Sequence, residues 1–183
     1  MRKKILLFIA VLLFLGSIST EIFGQSNQVR IRQLGDELSN GNVTLSANGN
    51  GSSSGNAVLG TLRNNMPDKI RINVSLSGGV YLSNSGPGQN MIATQIFLSD
   101  GRYYRESGSN SKFIELLPNL NTQITFKAYC ADFERDNPSD KETFNNISMP
   151  SGFQSISLKI SKYQNDNFGV DLVVPIQLAL WRS

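Results

Sequence analysis

The sequence predicts an all-β domain, an antiparallel β-sandwich or a related Greek-key arrangement, that follows an N-terminal signal peptide. Three observations favour this class: short runs of alternating apolar and polar residues, turn residues between these runs, and little helical periodicity after Gln25. Around ten such runs fit the strand density of a sandwich. We therefore expect a signal peptide over residues 1–24 and a single β-rich domain over residues 25–183.

The first segment has the composition of a secretory signal peptide. Arg2, Lys3 and Lys4 precede an apolar run over residues 5–16, which is shorter than the roughly 20 residues that a membrane-spanning helix needs. Gly24 then supplies a small residue suited to cleavage. The alternative is an uncleaved anchor. We expect export, to the exterior, the periplasm or the cell surface, with membrane contact only until the signal peptide is removed.

The strands are predicted from alternation and from the turns between them. The clearest case is 69–76, where four apolar residues share one face and four polar residues the other. Runs 91–98 and 102–105 flank Asp100-Gly101, a dipeptide that favours a type I′ hairpin. The remaining runs are 29–32, 80–82, 122–129, 155–163 and 170–181.

Two segments need separate comment. Residues 46–56 contain only Ser, Ala, Asn and Gly, which predicts a long mobile loop or a linker after an N-terminal strand pair. Residues 170–181 are apolar and contain Pro175, which a strand tolerates at an edge or a bulge. A terminal strand of this kind could pair within its own sheet or with a neighbouring subunit.

The residue types that are missing exclude several kinds of chemistry. The chain has no His and one Cys, which excludes a Ser-His-Asp triad, a His-ligated zinc, an intrachain disulfide and a Cys-rich metal site. The 17 basic and 14 acidic residues nearly balance once the signal peptide, with three basic residues and one acidic, is removed. No cluster of Lys and Arg could neutralise several phosphates. We expect no enzyme, no cofactor and no nucleic-acid partner.

An acidic stretch offers the one candidate metal site. Asp132, Glu134 and Asp136 supply alternate carboxylates of the kind that can surround calcium. The stretch lacks the glycine that an EF-hand loop needs at its sixth position, and Pro138 stands nearby. We therefore favour a solvated charged loop between two strands over a metal site.

The single cysteine, Cys130, follows the alternating run 122–129. A free thiol is unusual in an oxidising compartment, and three fates are open. The side chain could be buried and inert, which is the default for the end of a strand. It could form an intermolecular disulfide. Its sulfur could also be bonded within the chain to a side chain other than cysteine.

The third fate has a candidate partner in Gln177. The Tyr129-Cys130 pair at a strand end, with a Gln-x-Ala-x-Trp stretch at 177–181, resembles the bacterial thioester domains of Gram-positive surface adhesins. In that family a cysteine thiol displaces ammonia from a glutamine side chain, and an amine of a host protein then attacks the thioester. The resemblance implies that Cys130 supplies the sulfur, Gln177 the acyl group and Trp181 part of the packing around the bond.

Two functions from different classes follow. In the first, the chain is a secreted or cell-surface bacterial binding module, adhesin-like and non-enzymatic, with an extracellular protein or glycan as its ligand. One of Tyr103 and Tyr104 must then face outward, where it could contact the ligand. In the second, the chain is a structural subunit that self-assembles into a surface fibre or layer through its terminal strands. A monomer in solution would favour the first function, and concentration-dependent oligomers the second.

Overall fold

A computed structural model of the chain describes residues 29–132 and 134–182, so the expected signal peptide at 1–24 lies outside the described residues. The described part is mainly β-structure with helices at both ends. None of its helices combines the length and the apolar character that crossing a bilayer requires. The strands are β1 (Ile31–Arg32), β2 (Val43–Gly49), β3 (Ser54–Asn64), β4 (Ile70–Asn73), β5 (Ser75–Asn84), β6 (Met91–Leu98), β7 (Tyr104–Arg105), β8 (Lys112–Leu116), β9 (Asn121–Cys130) and β10 (Thr143–Ile147), and the helices are α1 (Leu34–Ser39), α2 (Ser151–Asp166) and α3 (Val173–Trp181).

Six strands close into a barrel in the order β10-β2-β3-β9-β6-β5, with antiparallel neighbours throughout. Within this barrel, β9 pairs with β3 along one edge and with β6 along the other. Its alternate side chains Ile124, Phe126, Ala128 and Cys130 belong to the main core, whereas Tyr129 belongs to a second core under the helices. The β-rich class is thus confirmed, and a sandwich is not.

A second sheet has the strand order β1-β4-β8-β7. The predicted strand 69–76 is divided between the two sheets, because β4 ends at Asn73 and β5 begins at Ser75. The Asn73 side-chain oxygen accepts the Ser75 N–H at 3.0 Å where the chain crosses over. Val74 is fully buried at this junction. The alternation of apolar and polar residues over 69–76 therefore continues where the chain passes from the second sheet into the barrel.

The predicted hairpin of residues 91–98 and 102–105 is limited to one bond, from the Leu98 N–H to the Arg102 carbonyl at 3.0 Å, and its turn is centred on Ser99 and Asp100 rather than being the predicted type I′ turn at Asp100-Gly101. The Gly101 N–H donates to the Leu98 carbonyl at 2.8 Å, and Gly101 has a φ of 82°, which glycine adopts without strain. Both edges of β6 are already occupied, by β5 and β9. β7 therefore pairs with β8 in the other sheet.

The tract 46–56 is not a long loop. It contains the end of β2 and the start of β3, which are joined by residues 50–53. Its small residues permit close packing: a Cβ on Gly49 would lie 2.7 Å from the Ser139 carbonyl oxygen. The composition reflects this close approach of backbone segments rather than a linker.

The predicted strand 155–163 is the middle of helix α2. Ile156, Leu158 and Ile160 fit a period of two, but Ile160 is buried while Leu158 is 52% exposed. The buried row in fact follows the helical spacing through Ser157, Ile160, Ser161 and Gln164. Polar residues on that row concealed the helical pattern.

The predicted terminal strand at 170–181 is also wrong, because residues 173–181 form α3. Pro175 lies in the first turn of this helix, where its missing N–H removes no helical hydrogen bond. Ile176, Gln177 and Leu180 face the barrel and are buried. In this conformation the segment offers no terminal strand for exchange between subunits.

Helix α2 is fixed to an irregular part of β5. The pairing of β5 with β6 shifts register between Ser75 and Val80, where Gly78 and Gly79 have positive φ. The Ser157 hydroxyl lies 2.6 Å from the Gly78 carbonyl and 3.2 Å from the Gln154 carbonyl of its own helix. The Ser161 hydroxyl lies 2.8 Å from both the Leu76 carbonyl and the Ser157 carbonyl, so it is shared between strand and helix. These hydroxyls satisfy strand carbonyls at the irregularity.

Replacing either serine by alanine should destabilise the fold. Ser157→Ala and Ser161→Ala each leave a strand carbonyl without its donor, at an expected cost of about 1–3 kcal/mol. Ser155→Ala is the matched control, because Ser155 is exposed on the same helix and the change should stay within about 0.5 kcal/mol. Unfolding in denaturant measures all three, and equal stability of all three variants would contradict the anchoring.

Candidate functional site

The candidate site lies at the last residue of β9, where Cys130 has its side chain in the barrel core. The thiol is fully buried, and its Sγ lies 3.6 Å from the Met91 Sδ. Burial, with a smaller contribution from the Asp132 charge, raises the pKa of the Cys130 thiol to about 12. The thiol is therefore neutral at physiological pH and shielded from water.

Gln177 lies against the backbone of Cys130, 47 residues away in the chain. The Cys130 N–H donates to the Gln177 Oε1 at 3.0 Å, and the Gln177 Nε2–H donates to the Cys130 carbonyl at 2.9 Å. The same N–H also contacts the Ser53 carbonyl at 3.1 Å. Since β3 begins only at Ser54, the Gln177 carboxamide continues the β-ladder in place of a strand.

The local sequence of α3 explains this position. The Asp171 Oδ1 accepts the Val173 N–H at 3.1 Å in the turn that leads into the helix. Ile176 and Leu180 pack in the second core with Tyr129. Gln177 follows Ile176 on the buried side of the helix and keeps only 5% of its surface exposed. The apolar neighbours thus hold the carboxamide against β9.

Tyr129 points to the opposite side of β9 from Cys130 and is fully buried beneath the helices. The Gln164 Nε2–H of α2 donates to its hydroxyl at 2.8 Å. Burial raises the pKa of the Tyr129 hydroxyl, and the Asp171 charge adds to this effect. Gln164 Oε1 is buried without a partner within the described part of the chain. Tyr129 therefore links α2 to the strand that carries Cys130.

Trp181, the third residue of the resemblance, ends α3 one turn after Gln177. The spacing of four places both side chains on one side of the helix. Trp181 keeps 38% of its surface exposed. It therefore borders the site at the surface, whereas Cys130 and Gln177 lie inside.

The acidic stretch does not gather into a metal site within the described residues, where no three acidic or cysteine side chains come together as potential ligands. The Asp132 carboxylate accepts the Asn90 N–H at 3.0 Å and lies 3.9 Å from the Arg135 Nε. Glu134 and Asp136 are exposed. Asp132 thus fixes the chain after Cys130 to the loop before β6.

Glu142 is the carboxylate that organises the loops beside the site. It accepts N–H groups from Gly88 at 2.9 Å and Ser139 at 2.7 Å, and the Asn84 amide at 3.2 Å. These bonds, that of Gly88 first, lower the pKa of Glu142. A Cβ on Gly88 would lie 2.5 Å from the carboxylate, so a larger residue there would displace the Glu142 side chain.

Sequence reasoning identified Cys130 and Gln177, which the structure brings into contact, but missed the residues that support them. Gln164 lies three residues after Ser161, which itself follows Ser157 by four. That spacing is helical and would have shown a polar row on one helix face. Nothing in the sequence indicates that Glu142 binds the backbone of Gly88.

Comparison with protein families, with curated proteins and with solved structures finds no match to the chain.

The Glu142 hydrogen bonds predict a loss of stability in acid. The pKa of Glu142 is lower in the folded state than its ordinary value of 4.5. The carboxylate therefore stabilises the fold fully when the pH is above 4.5, and this contribution disappears as the pH falls through the folded-state pKa. Glu142→Gln should lower Tm at pH 7 and flatten the fall in Tm below pH 4.5. Thermal unfolding between neutral and acidic pH measures both effects.

The matched control is Glu134→Gln, which removes an exposed carboxylate from the same stretch. Its Tm should follow that of the wild-type chain at every pH. If the Tm of Glu142→Gln fell as steeply with decreasing pH as the Tm of the wild-type chain, the Glu142 carboxylate would have no such role.

Proposed function

We propose that this chain is an exported bacterial binding module, adhesin-like and non-enzymatic, that attaches covalently to an amine of its extracellular partner through a Cys130–Gln177 thioester. The observation that carries the proposal is the pair of hydrogen bonds that holds the Gln177 carboxamide on Cys130. The thioester-domain resemblance requires the two side chains to meet; the Gln177 carboxamide lies on the Cys130 backbone, whereas the Cys130 Sγ lies against the Met91 Sδ in the barrel core. The signal-peptide composition of residues 1–24 supports export.

Thioester formation would proceed by attack of the Cys130 sulfur on the Gln177 Cδ. The Sγ–Cδ bond forms, the Cδ–Nε2 bond breaks, and the thiol proton leaves with the nitrogen as ammonia. The Cys130 N–H already donates to the Gln177 Oε1 at 3.0 Å, so it would stabilise the negative charge that develops on this oxygen. The sulfur now beside Met91 must move toward Cδ for the bond to form.

The surroundings favour storage of the bond over its hydrolysis. Cys130 is completely buried and Gln177 nearly so, which keeps water from the acyl carbon. The pKa of about 12 keeps the thiol neutral, so formation depends on proximity and on transfer of the thiol proton to the leaving nitrogen. A slow reaction during or after folding suffices, because it occurs once.

The second step would consume the stored bond. A primary amine of the partner attacks Cδ, the Cδ–Sγ bond breaks, and one amine proton restores the thiol. Gln177 then carries the partner through an amide bond. A protein lysine is the common source of such an amine outside the cell. The chain reacts once and is not regenerated, so it binds rather than catalyses.

Intact mass tests the thioester directly. The purified chain, kept from amines, should be lighter than its sequence by one ammonia, because Nε2 leaves during bond formation. Methylamine should then add one methylamine at Gln177, and Cys130 should become open to alkylation in denaturant. Mass spectrometry of the intact chain and of its peptides measures each change.

Three variants distinguish the thioester from other losses of mass. Cys130→Ala and Gln177→Glu should both have their full sequence mass. Gln154→Glu, which alters an exposed amide of α2, should still be lighter by one ammonia. Full sequence mass of the wild-type chain, with complete alkylation of Cys130 in denaturant before any exposure to amines, would refute the proposal.

A further inference from the structure

The barrel is least complete between β10 and β2. β10 pairs with β5 at four positions, from Phe144 to Ile147, but with β2 only at Thr143 and Phe144. β2 itself continues its pairing with β3 as far as Val43. The two strands thus separate beyond Phe144, and within the described residues no strand borders that edge of β10 over 145–147.

The ladder indicates which backbone groups face this gap. The Ser85 N–H donates to the Thr143 carbonyl, so residues 143, 145 and 147 direct their N–H and C=O groups toward β5. The intervening residues, Phe144 and Asn146, direct theirs the other way. Phe144 pairs there with Ala47 of β2. Asn146 has no such partner strand and presents one donor and one acceptor to the gap.

A groove of about 740 Å³ lies at the end of this edge, where helix α1, residues 146–149 and residues 77–81 of β5 form its walls. Leu38 and Met149 supply apolar surface within it, and the β10 side includes Ile147, which is 47% exposed. Asp36 is the one charged side chain in the lining. It is exposed and forms no ion pair with any residue in the described ranges.

We propose that the free edge of β10 binds an extended peptide segment of a partner, with a basic residue of that segment opposite Asp36. A donor and an acceptor on a strand edge match the backbone of an added strand. Alternate side chains of the peptide would pack on Leu38 and Met149, and a Lys or Arg would pair with the unpartnered carboxylate. The site is separate from Cys130 and does not depend on the thioester.

A second copy of this chain fits the groove less well than a basic peptide. Symmetric pairing of two β10 edges places the same surface on both sides of the interface. It would therefore bring two Asp36 carboxylates to one interface, where like charges repel. A basic peptide carries the complementary charge.

The test uses the purified chain and the alternating probe acetyl-Lys-Val-Lys-Val-Lys-amide. Titration followed by NMR should show saturable binding at millimolar peptide, with shifts centred on residues 145–148 and on Asp36. The acidic probe acetyl-Glu-Val-Glu-Val-Glu-amide should bind more weakly. Asp36→Asn should weaken binding of the basic probe by up to about fivefold.

A pair of variants at one position tests the backbone contact. Asn146→Pro removes the N–H that faces the groove and leaves the bonds from residues 145 and 147 to β5, so binding should weaken by about fivefold or more. Asn146→Ala keeps that N–H and should bind as the wild-type chain does. Two further probes carry N-methyl groups on alternate residues, one on the lysines and one on the valines. The probe whose methylated amides face β10 should not bind, and the probe whose methylated amides face away should still bind.

The proposal is overturned if the basic probe does not bind at millimolar concentration, or if Asn146→Pro binds it as well as Asn146→Ala does. Equal binding of the two N-methylated probes would also overturn it, because an added strand uses only every second amide. A dimer in sedimentation that Asn146→Pro dissociates would assign the edge to a second copy instead.

Discussion

The end of β9 is the constraint on which the helical half of the molecule depends. Beyond Tyr129, β3 no longer supplies a paired strand residue, although the Ser53 carbonyl still accepts the Cys130 N–H. The carbonyl of Cys130 is buried at that point and needs a donor, since an unpaired buried acceptor costs about 1–3 kcal/mol. Gln177 provides it and returns an acceptor to the N–H. α3 must therefore lie where its side chain reaches β9.

Helix α2 satisfies a similar requirement elsewhere on the same barrel face. Where the register of β5 shifts, the hydroxyls of Ser157 and Ser161 take the place of a strand as donors. Gln164, farther along the helix, donates to Tyr129. Polar side chains of two helices thus complete an irregular sheet, while the apolar residues between them form the second core. This division explains why most of the buried residues of α2 are polar.

The same arrangement explains how a buried, neutral thiol could take part in covalent chemistry. Burial raises the pKa of Cys130 and suppresses its reactions with solvent and oxidants. It also brings the one carboxamide on α3 within hydrogen-bond distance of the Cys130 backbone. In the proposed reaction, bond formation depends on movement of the sulfur from Met91 toward the Gln177 Cδ rather than on ionisation of the thiol. The thioester proposal needs no charged base near the sulfur.

Strands β6 and β9 and part of β5 could be predicted from the sequence, because alternation in runs such as 122–129 directly reflects one buried face. β2, β3 and β10 were not predicted, nor was the closure of the sheet into a barrel. The sequence also predicted contact between the Cys130 and Gln177 side chains, from a resemblance between short motifs; the structure instead places the Gln177 carboxamide on the Cys130 backbone, and from a helix rather than a strand. Helix α2 was missed because Ser157, Ser161 and Gln164 occupy buried positions that apolar residues usually take. Helix α3 was missed because its nearly continuous apolar run carries no helical period. The pairing of strands, such as β7 with β8, depends on which strand edges remain free in the folded sheets. The local sequence of a strand does not encode which edges are free.

The most direct test of this account is the side-chain amide of Gln177, observed by ¹⁵N–¹H NMR in the wild-type chain and in Cys130→Ala. If the docked carboxamide has become a thioester, the wild-type chain shows no NH₂ pair from Gln177. Cys130→Ala then shows this pair, in slow exchange with water because its Nε2–H donates to the residue 130 carbonyl. The pair is assigned by its absence from Gln177→Glu. A Gln177 NH₂ pair in the wild-type chain would contradict the covalent bond and leave the carboxamide as a structural cap on β9.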